Sequence, residues 1–318
     1  MAALLIACLA LGTACAEVTP AAAQELMQAM PPSSAEEVLV IENPAMGAEF
    51  PLSEMPPEVV PFRSASAWTW QVLPAGILYP SYLAGPREPR FASQWVKVSE
   101  NDWVWDLAIG GRAGILRYGT TDPLWPEGFQ LDIEGAAFPR LALEEQQDLI
   151  SSDFRFGVPL TYRRGPWETK FGYYHISSHL GDEFLEDHSG WERVNYVRDA
   201  LLWGAAVRPT AALRLYGEVA WAFFADGGAE PWEFQAGASY SPAYPTGLPG
   251  APFAAVNGHL REEADFGGNV VVEAGWAWKG SSGHLLRLGV HYLNGKSNQY
   301  QFFPRYEEQI GLGLWFDY

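Results

Sequence analysis

The chain has 318 residues, with 20 Lys and Arg against 38 Asp and Glu, for a formal charge of -18. Such a charge repels nucleic acid and anionic lipid head groups, which excludes nucleic-acid binding. Aromatic residues reach 14%, with 14 Trp, beside 32 Gly and 24 Pro, a composition that suits strands and turns better than helices.

The first element, residues 1–16, reads MAALLIACLALGTACA. A short apolar run ends in Ala14-Cys15-Ala16, whose small residues match a signal-peptidase site before Glu17. The run is too short to span a membrane as a helix, and it lacks the usual basic start. Cys8, after Leu-Ile-Ala, is a second reading as a lipid-attachment site. Cleavage after Ala16 removes both cysteines, leaving no thiol for disulfides or catalysis. The protein is therefore expected to be exported to the cell outer membrane of a Gram-negative bacterium. Residues 17–90 form a Pro-, Ala-, Glu- and Ser-rich periplasmic segment with no sustained period. Trp68, Trp70, Tyr79 and Tyr82 within it imply that part of it docks on something.

From Phe91 the pattern changes. Phe129, Leu131 and Ile133 alternate with Gln130, Asp132 and Glu134; Val270, Val272, Ala274 and Trp276 alternate with Asn269 and Glu273; Ile310, Leu312, Leu314 and Phe316 alternate with Gln309, Gly311, Gly313 and Asp317. About twelve runs of this kind lie in 91–318, each long enough for a tilted strand crossing a bilayer. The fold class is thus all-β, a transmembrane antiparallel barrel of about twelve strands. A soluble barrel with its apolar face inward would give the same alternation. At about twelve strands, however, a greasy lumen would need a large ligand to fill it. The second face instead carries Arg155, Glu168, Lys170, Arg214, Glu218, Glu273 and Arg287, charges that can pair across a polar lumen. Arg112, Asp132, Glu134 and Arg155 are expected as lumenal partners, Arg163-Arg164-Gly165-Pro166 as a short periplasmic turn, and Pro245 to Pro252 as an external or turn segment.

The last strand ends on Tyr318. It resembles the C-terminal strand of bacterial outer-membrane barrels, which implies recognition by the barrel-assembly machinery. GPREPRF (85–91), QLDIEGAAF (130–138), PLTYRRGPW (159–167), YYHISSHLGDEF (173–184) and IGLGLWFDY (310–318) together resemble a bacterial family known only as domain of unknown function 1207. That resemblance implies an outer-membrane-type protein and no activity. The role expected on that footing is structural, pore-forming or transport-related.

YYHISSHLGDEF carries the candidate chemistry. One face of its strand holds Glu168, Lys170, Gly172 and Tyr174; the other holds Phe171, Tyr173, His175, Ser177 and His179. If charge faces the lumen, His175 and Ser177 face lipid, near the outer leaflet at the top of the fifth strand. A symmetric hairpin would bring Asn195 opposite His175, so that Ser177 as nucleophile, His175 as base and Asn195 as orienting group make a hydrolytic set. This resembles the outer-membrane phospholipase A group, with its His-x-Ser pair and an Asn on the neighbouring strand. Ser178 and His179 depart from that group, in which Asn-Gly follows the Ser. The alternative function is accordingly a lipid acyl hydrolase with membrane lipid as partner. The plainer reading makes these residues a half-wet interfacial girdle. A metal reading uses His175 and His179 with Asp182, Glu183 or His188; the oxygens of Asp182 and Glu183 suit calcium. No other cofactor is expected, and the sequence does not specify an oligomeric state.

Overall fold

A computed structural model describes residues 66–98, 103–144 and 147–318. The signal peptide (1–16) and the first part of the N-terminal segment (17–65) lie outside the described residues. Thirteen strands form one antiparallel sheet: β1 (Thr69–Val72), β2 (Phe91–Val98), β3 (Trp103–Gly119), β4 (Gly128–Ala142), β5 (Leu149–Arg164), β6 (Trp167–Leu180), β7 (Val197–Val207), β8 (Leu213–Asp226), β9 (Trp232–Tyr240), β10 (Ala251–Arg261), β11 (Gly268–Lys279), β12 (Leu285–Lys296) and β13 (Tyr306–Asp317). β2 to β13 are the barrel wall. Each pairs with its neighbours in sequence, and β13 closes on β2 through pairs that include Phe316↔Phe91 and Gln309↔Val98. The wall begins at Phe91, where the alternation begins.

The alternation decides the faces. In β4, Phe129, Leu131 and Ile133 point out and are exposed, while Gln130, Asp132 and Glu134 point in and are buried. The same division holds around the wall, where exposed Phe154, Phe171, Trp203, Val270, Val272 and Leu312 form an apolar band. Backbone amides are satisfied strand to strand, and the closed wall leaves no edge in lipid. β5 and β6 are joined by Gly165-Pro166, with Gly165 at φ 58 as a tight two-residue hairpin requires. This turn and Tyr318 share one end of the barrel, the inner end. The opposite, outer end carries the long β6–β7 loop, 181–196, with its short helix α1 (Asp182–Asp187). Short periplasmic turns and longer outer loops are the ordinary polarity of such barrels.

The lumen is full. Many of the acidic and basic residues on the inner face are paired: Arg112 and Arg155 on Glu134, Arg140 on Asp106 and Glu307, Lys170 on Glu218, Arg198 on Glu233, and Arg287 on Glu273 and Asp317. The lumenal partners expected from the sequence thus meet, with Asp132 held by Gln130 and Thr161.

The sequence reading leaves everything up to residue 90 in the periplasm, but residues 76–90 run inside the barrel. Leu78, Tyr79, Tyr82 and Ala84 have no exposed surface. The Tyr82 hydroxyl donates to Glu218 (2.9 Å), and its ring stacks on Tyr216 at 3.9 Å. Arg87 pairs with Asp153 (2.7 Å) and Arg90 with Asp317 (2.9 Å). The plug's own carbonyls accept from the wall: Tyr79 O from Arg112 (2.8 Å) and Leu83 O from Arg287 (3.1 Å). The physical reason is width. Side chains alone fill a barrel of about eight strands, so a wider one needs another occupant. Gly204 makes room for it: a Cβ there would lie 2.9 Å from the Tyr82 hydroxyl and 3.0 Å from that of Tyr79.

Candidate active site on the outer wall

β6 is the fifth strand of the wall and rises to the outer end. Its burial alternates strictly. Glu168, Lys170, Tyr174 and Ser178 are buried in the lumen, and Phe171, Tyr173, His175, Ser177 and His179 lie on the outer face. His175 and Ser177 therefore face the membrane side of the wall, as the alternation predicts. Ser177 lies three residues short of the strand end, about 10 Å along the strand and less along the membrane normal once the tilt is counted.

The neighbouring strand supplies a different partner from the expected one. β6 and β7 pair with His175↔Asp199 and Ser177↔Val197. The loop 181–196, with α1 in it, delays the entry of β7 into the wall. Asn195 consequently stays outside β7, exposed, near the outer rim. Asp199 stands opposite His175, and its Oδ1 lies 2.9 Å from His175 Nδ1. The Tyr173 hydroxyl donates to the same oxygen at 2.5 Å. Tyr173, His175 and Ser177 thus form one column, braced from β7 by a carboxylate that holds two of its donors.

This geometry has a chemical consequence. With Nδ1–H donated to Asp199, the neutral imidazole keeps its lone pair on Nε2. That is the tautomer a general base needs. Ser177 follows two positions on, about 7 Å away at Cβ, a span that an imidazole and a hydroxyl together can bridge. The Ser177 hydroxyl makes no hydrogen bond to any described residue. The surroundings are apolar: on β5, Phe156 is opposite His175 and Phe154 opposite Ser177, and Phe223 and Phe224 of β8 are both exposed nearby.

The remaining candidates stay apart. His179 lies four residues beyond His175, about 13 Å along the strand; its Nδ1 accepts from Arg193 (2.8 Å). Asp182 and Glu183 occupy the first turn of α1 with exposed side chains. His188 Nδ1 meets Phe184 O at 3.0 Å, so that nitrogen carries the donated proton. Among the described residues, no three His, Cys, Asp or Glu gather as a metal site.

Asp199 is the residue that sequence reasoning missed, and a signal was present. The outward row of β7 reads Val197, Asp199, Leu201, Trp203, and a carboxylate in an otherwise apolar lipid-side row carries a cost that asks for an explanation.

A family model described as "Protein of unknown function (DUF1207)" matches residues 20–318. The chain belongs to this family. No curated protein matches it. Among solved structures it is similar to the outer membrane phospholipase of Salmonella typhi, seen as a dimer with bound calcium. The identity is 11% over 75% of this chain and 91% of that one, with a TM-score of 0.49. For outer membrane phospholipase A from Escherichia coli the values are 10%, 76%, 98% and 0.48. For the KdgM porin they are 11%, 71%, 99% and 0.39. Identities of this size carry no residue roles across.

Proposed function

We propose that this outer-membrane barrel is a lipid acyl hydrolase that works from its outer wall. The observation that carries the reading is the His175–Asp199 hydrogen bond on the lipid side, in register with Ser177. In the proposed reaction Ser177 Oγ attacks the ester carbonyl carbon of a membrane lipid while His175 Nε2 takes the hydroxyl proton. Collapse of the tetrahedral adduct breaks the ester C–O bond, and His175 returns the proton to the departing alkoxide. Water, deprotonated by His175, then cleaves the acyl-serine to a free fatty acid. Asp199 supports the imidazolium formed in both halves, and Asn195 takes no part. The aromatic row beside Ser177 suits acyl chains lying in the bilayer. The pore or transport reading draws less support, because residues 76–90 and the ion pairs around them occupy the lumen.

The test is direct. Purified barrel in detergent is offered a fluorescent phospholipid, with calcium and with a chelator; the calcium arm also tests a role for Asp182 and Glu183. Fatty-acid release that disappears in Ser177→Ala and His175→Ala is the expected result. Folded wild-type protein that releases none in either buffer sinks the proposal.

A further inference from the structure

At the inner end of the lumen, three cations converge on one indole. Arg163, Arg208 and Lys279 lie 4.7, 5.5 and 5.5 Å from the ring centre of Trp125. Arg214 lines the same cavity, which has a volume of about 80 Å³. Glu168 accepts from Arg208 Nε (2.6 Å) and Arg214 Nε (2.8 Å). Arg163 is 4% exposed and makes neither an ion pair nor a hydrogen bond with any described residue. The Lys279 ammonium donates to the uncharged carbonyl of Pro242 (3.1 Å) and makes no ion pair with any described residue. Asp317 also lines the cavity but is committed to Arg90 and Arg287, and Glu127 accepts from the Gly165 amide. Two buried donors beside the cavity, Arg214 Nη2 and Trp125 Nε1, have no hydrogen-bond partner among the described residues.

Buried cations are normally matched by anions, as Arg112, Arg140, Arg198 and Arg287 are elsewhere in this lumen. Here four cations face Glu168 and, beside Arg163, the buried Glu127, an excess of positive charge in a chain whose overall charge is -18, and donors are left over. We propose that this cavity binds a phosphate-type oxyanion, either free phosphate or the phosphate group of a small ester. Guanidinium forks match tetrahedral oxyanions geometrically, and Lys279 adds a point charge. The cavity has room for a group of that size. The lining is shared between strand ends and turns at the inner end and the plug residues from Gly76 to Leu83, so the ligand would come from the periplasm. The site is separate from the Ser177 column on the outer wall and does not depend on it.

Calorimetric titration of the full-length protein in neutral detergent, at constant ionic strength, tests the site with sodium phosphate, glycerol phosphate and acetate. Saturable phosphate binding is expected, with acetate at least ten-fold weaker. Arg163→Gln and Lys279→Gln should each weaken phosphate at least ten-fold. In phosphate-free buffer both variants should unfold at or above the wild-type urea concentration, because each removes a surplus buried charge. Tighter binding of glycerol phosphate than of phosphate would identify an ester as the ligand, and the reverse order free phosphate. Absence of saturable phosphate binding by the wild type, or affinity unchanged in both variants, overturns the proposal.

Discussion

Replacing Asp199 by alanine separates the proposed chemistry from the stability of the wall. His175 and Asp199 stand on the lipid face near the outer end of the wall, where an acidic side chain costs at most about 1 kcal/mol, so removing the carboxylate should change folding little. The effect on turnover should be far larger. Without the acceptor at Nδ1, the imidazole loses its preferred tautomer, and the imidazolium formed during the reaction loses its counter-charge. Loss of such an orienting acid lowers turnover by about 10²- to 10⁴-fold, which is roughly 3–5 kcal/mol of barrier. Asp199→Asn keeps an acceptor without the charge and should fall between alanine and wild type. The assay is initial-rate hydrolysis of a fluorescent phospholipid in mixed micelles, run beside urea unfolding of the same preparations. If Asp199→Ala turns over at the wild-type rate while Ser177→Ala is dead, Asp199 has no part in the site. If Asp199→Ala loses turnover and unfolds at much lower urea, its role is structural.

The plug as seal is tested at Gly204, where the Cβ of a valine would lie within 3.0 Å of Tyr82, Tyr79 and Lys170 atoms. Gly204→Val should dislodge residues 76–90 and produce discrete openings in planar bilayers where the wild type is silent; a folded and equally silent variant would refute the plug as the seal. Glu134 holds both Arg112 and Arg155 in the lumen. Glu134→Gln leaves them unmatched and should cost about 3–5 kcal/mol, read as a lower urea midpoint. In the outer β10–β11 loop, burial and then the nearby Glu233 charge push the Glu263 carboxyl above its ordinary value, against the pull of Arg261. The folded state thus holds that proton more tightly than the unfolded chain does. The stability from this group is present at acid pH and is lost as pH rises from the ordinary carboxylate range through the raised value. Glu263→Gln should therefore match wild type near pH 4 and be the more stable protein at pH 8, by urea unfolding; wild type being the more stable at pH 8 would show that the Arg261 pair prevails.

The wall was legible because a strand in a bilayer has a strict period. Every second residue must be apolar, so Phe129, Leu131 and Ile133 reveal both the face and the medium. The same rule puts His175 and Ser177 outside and Lys170 and Tyr174 inside from the sequence alone. Asp199 was harder to find, because pairing across a hairpin depends on how many residues the loop consumes, and loops carry no period. The plug was hidden for a related reason. Residues 76–90 have no repeat of their own, and their partners, among them Glu218, Asp153 and Asp317, come from strands far apart in sequence.

The amino-acid sequence by itself determined a barrel of membrane-spanning strands, the side of the wall each residue faces, and the strand that holds His175 and Ser177. Those are local properties, written in alternation and turn residues. Only the tertiary structure decided that Asp199 rather than Asn195 lies within hydrogen-bond distance of the histidine, that residues 76–90 enter the lumen, and that four cations outnumber the carboxylates at its inner end. Each of these depends on register and closure, which bring together side chains that no sequence spacing relates.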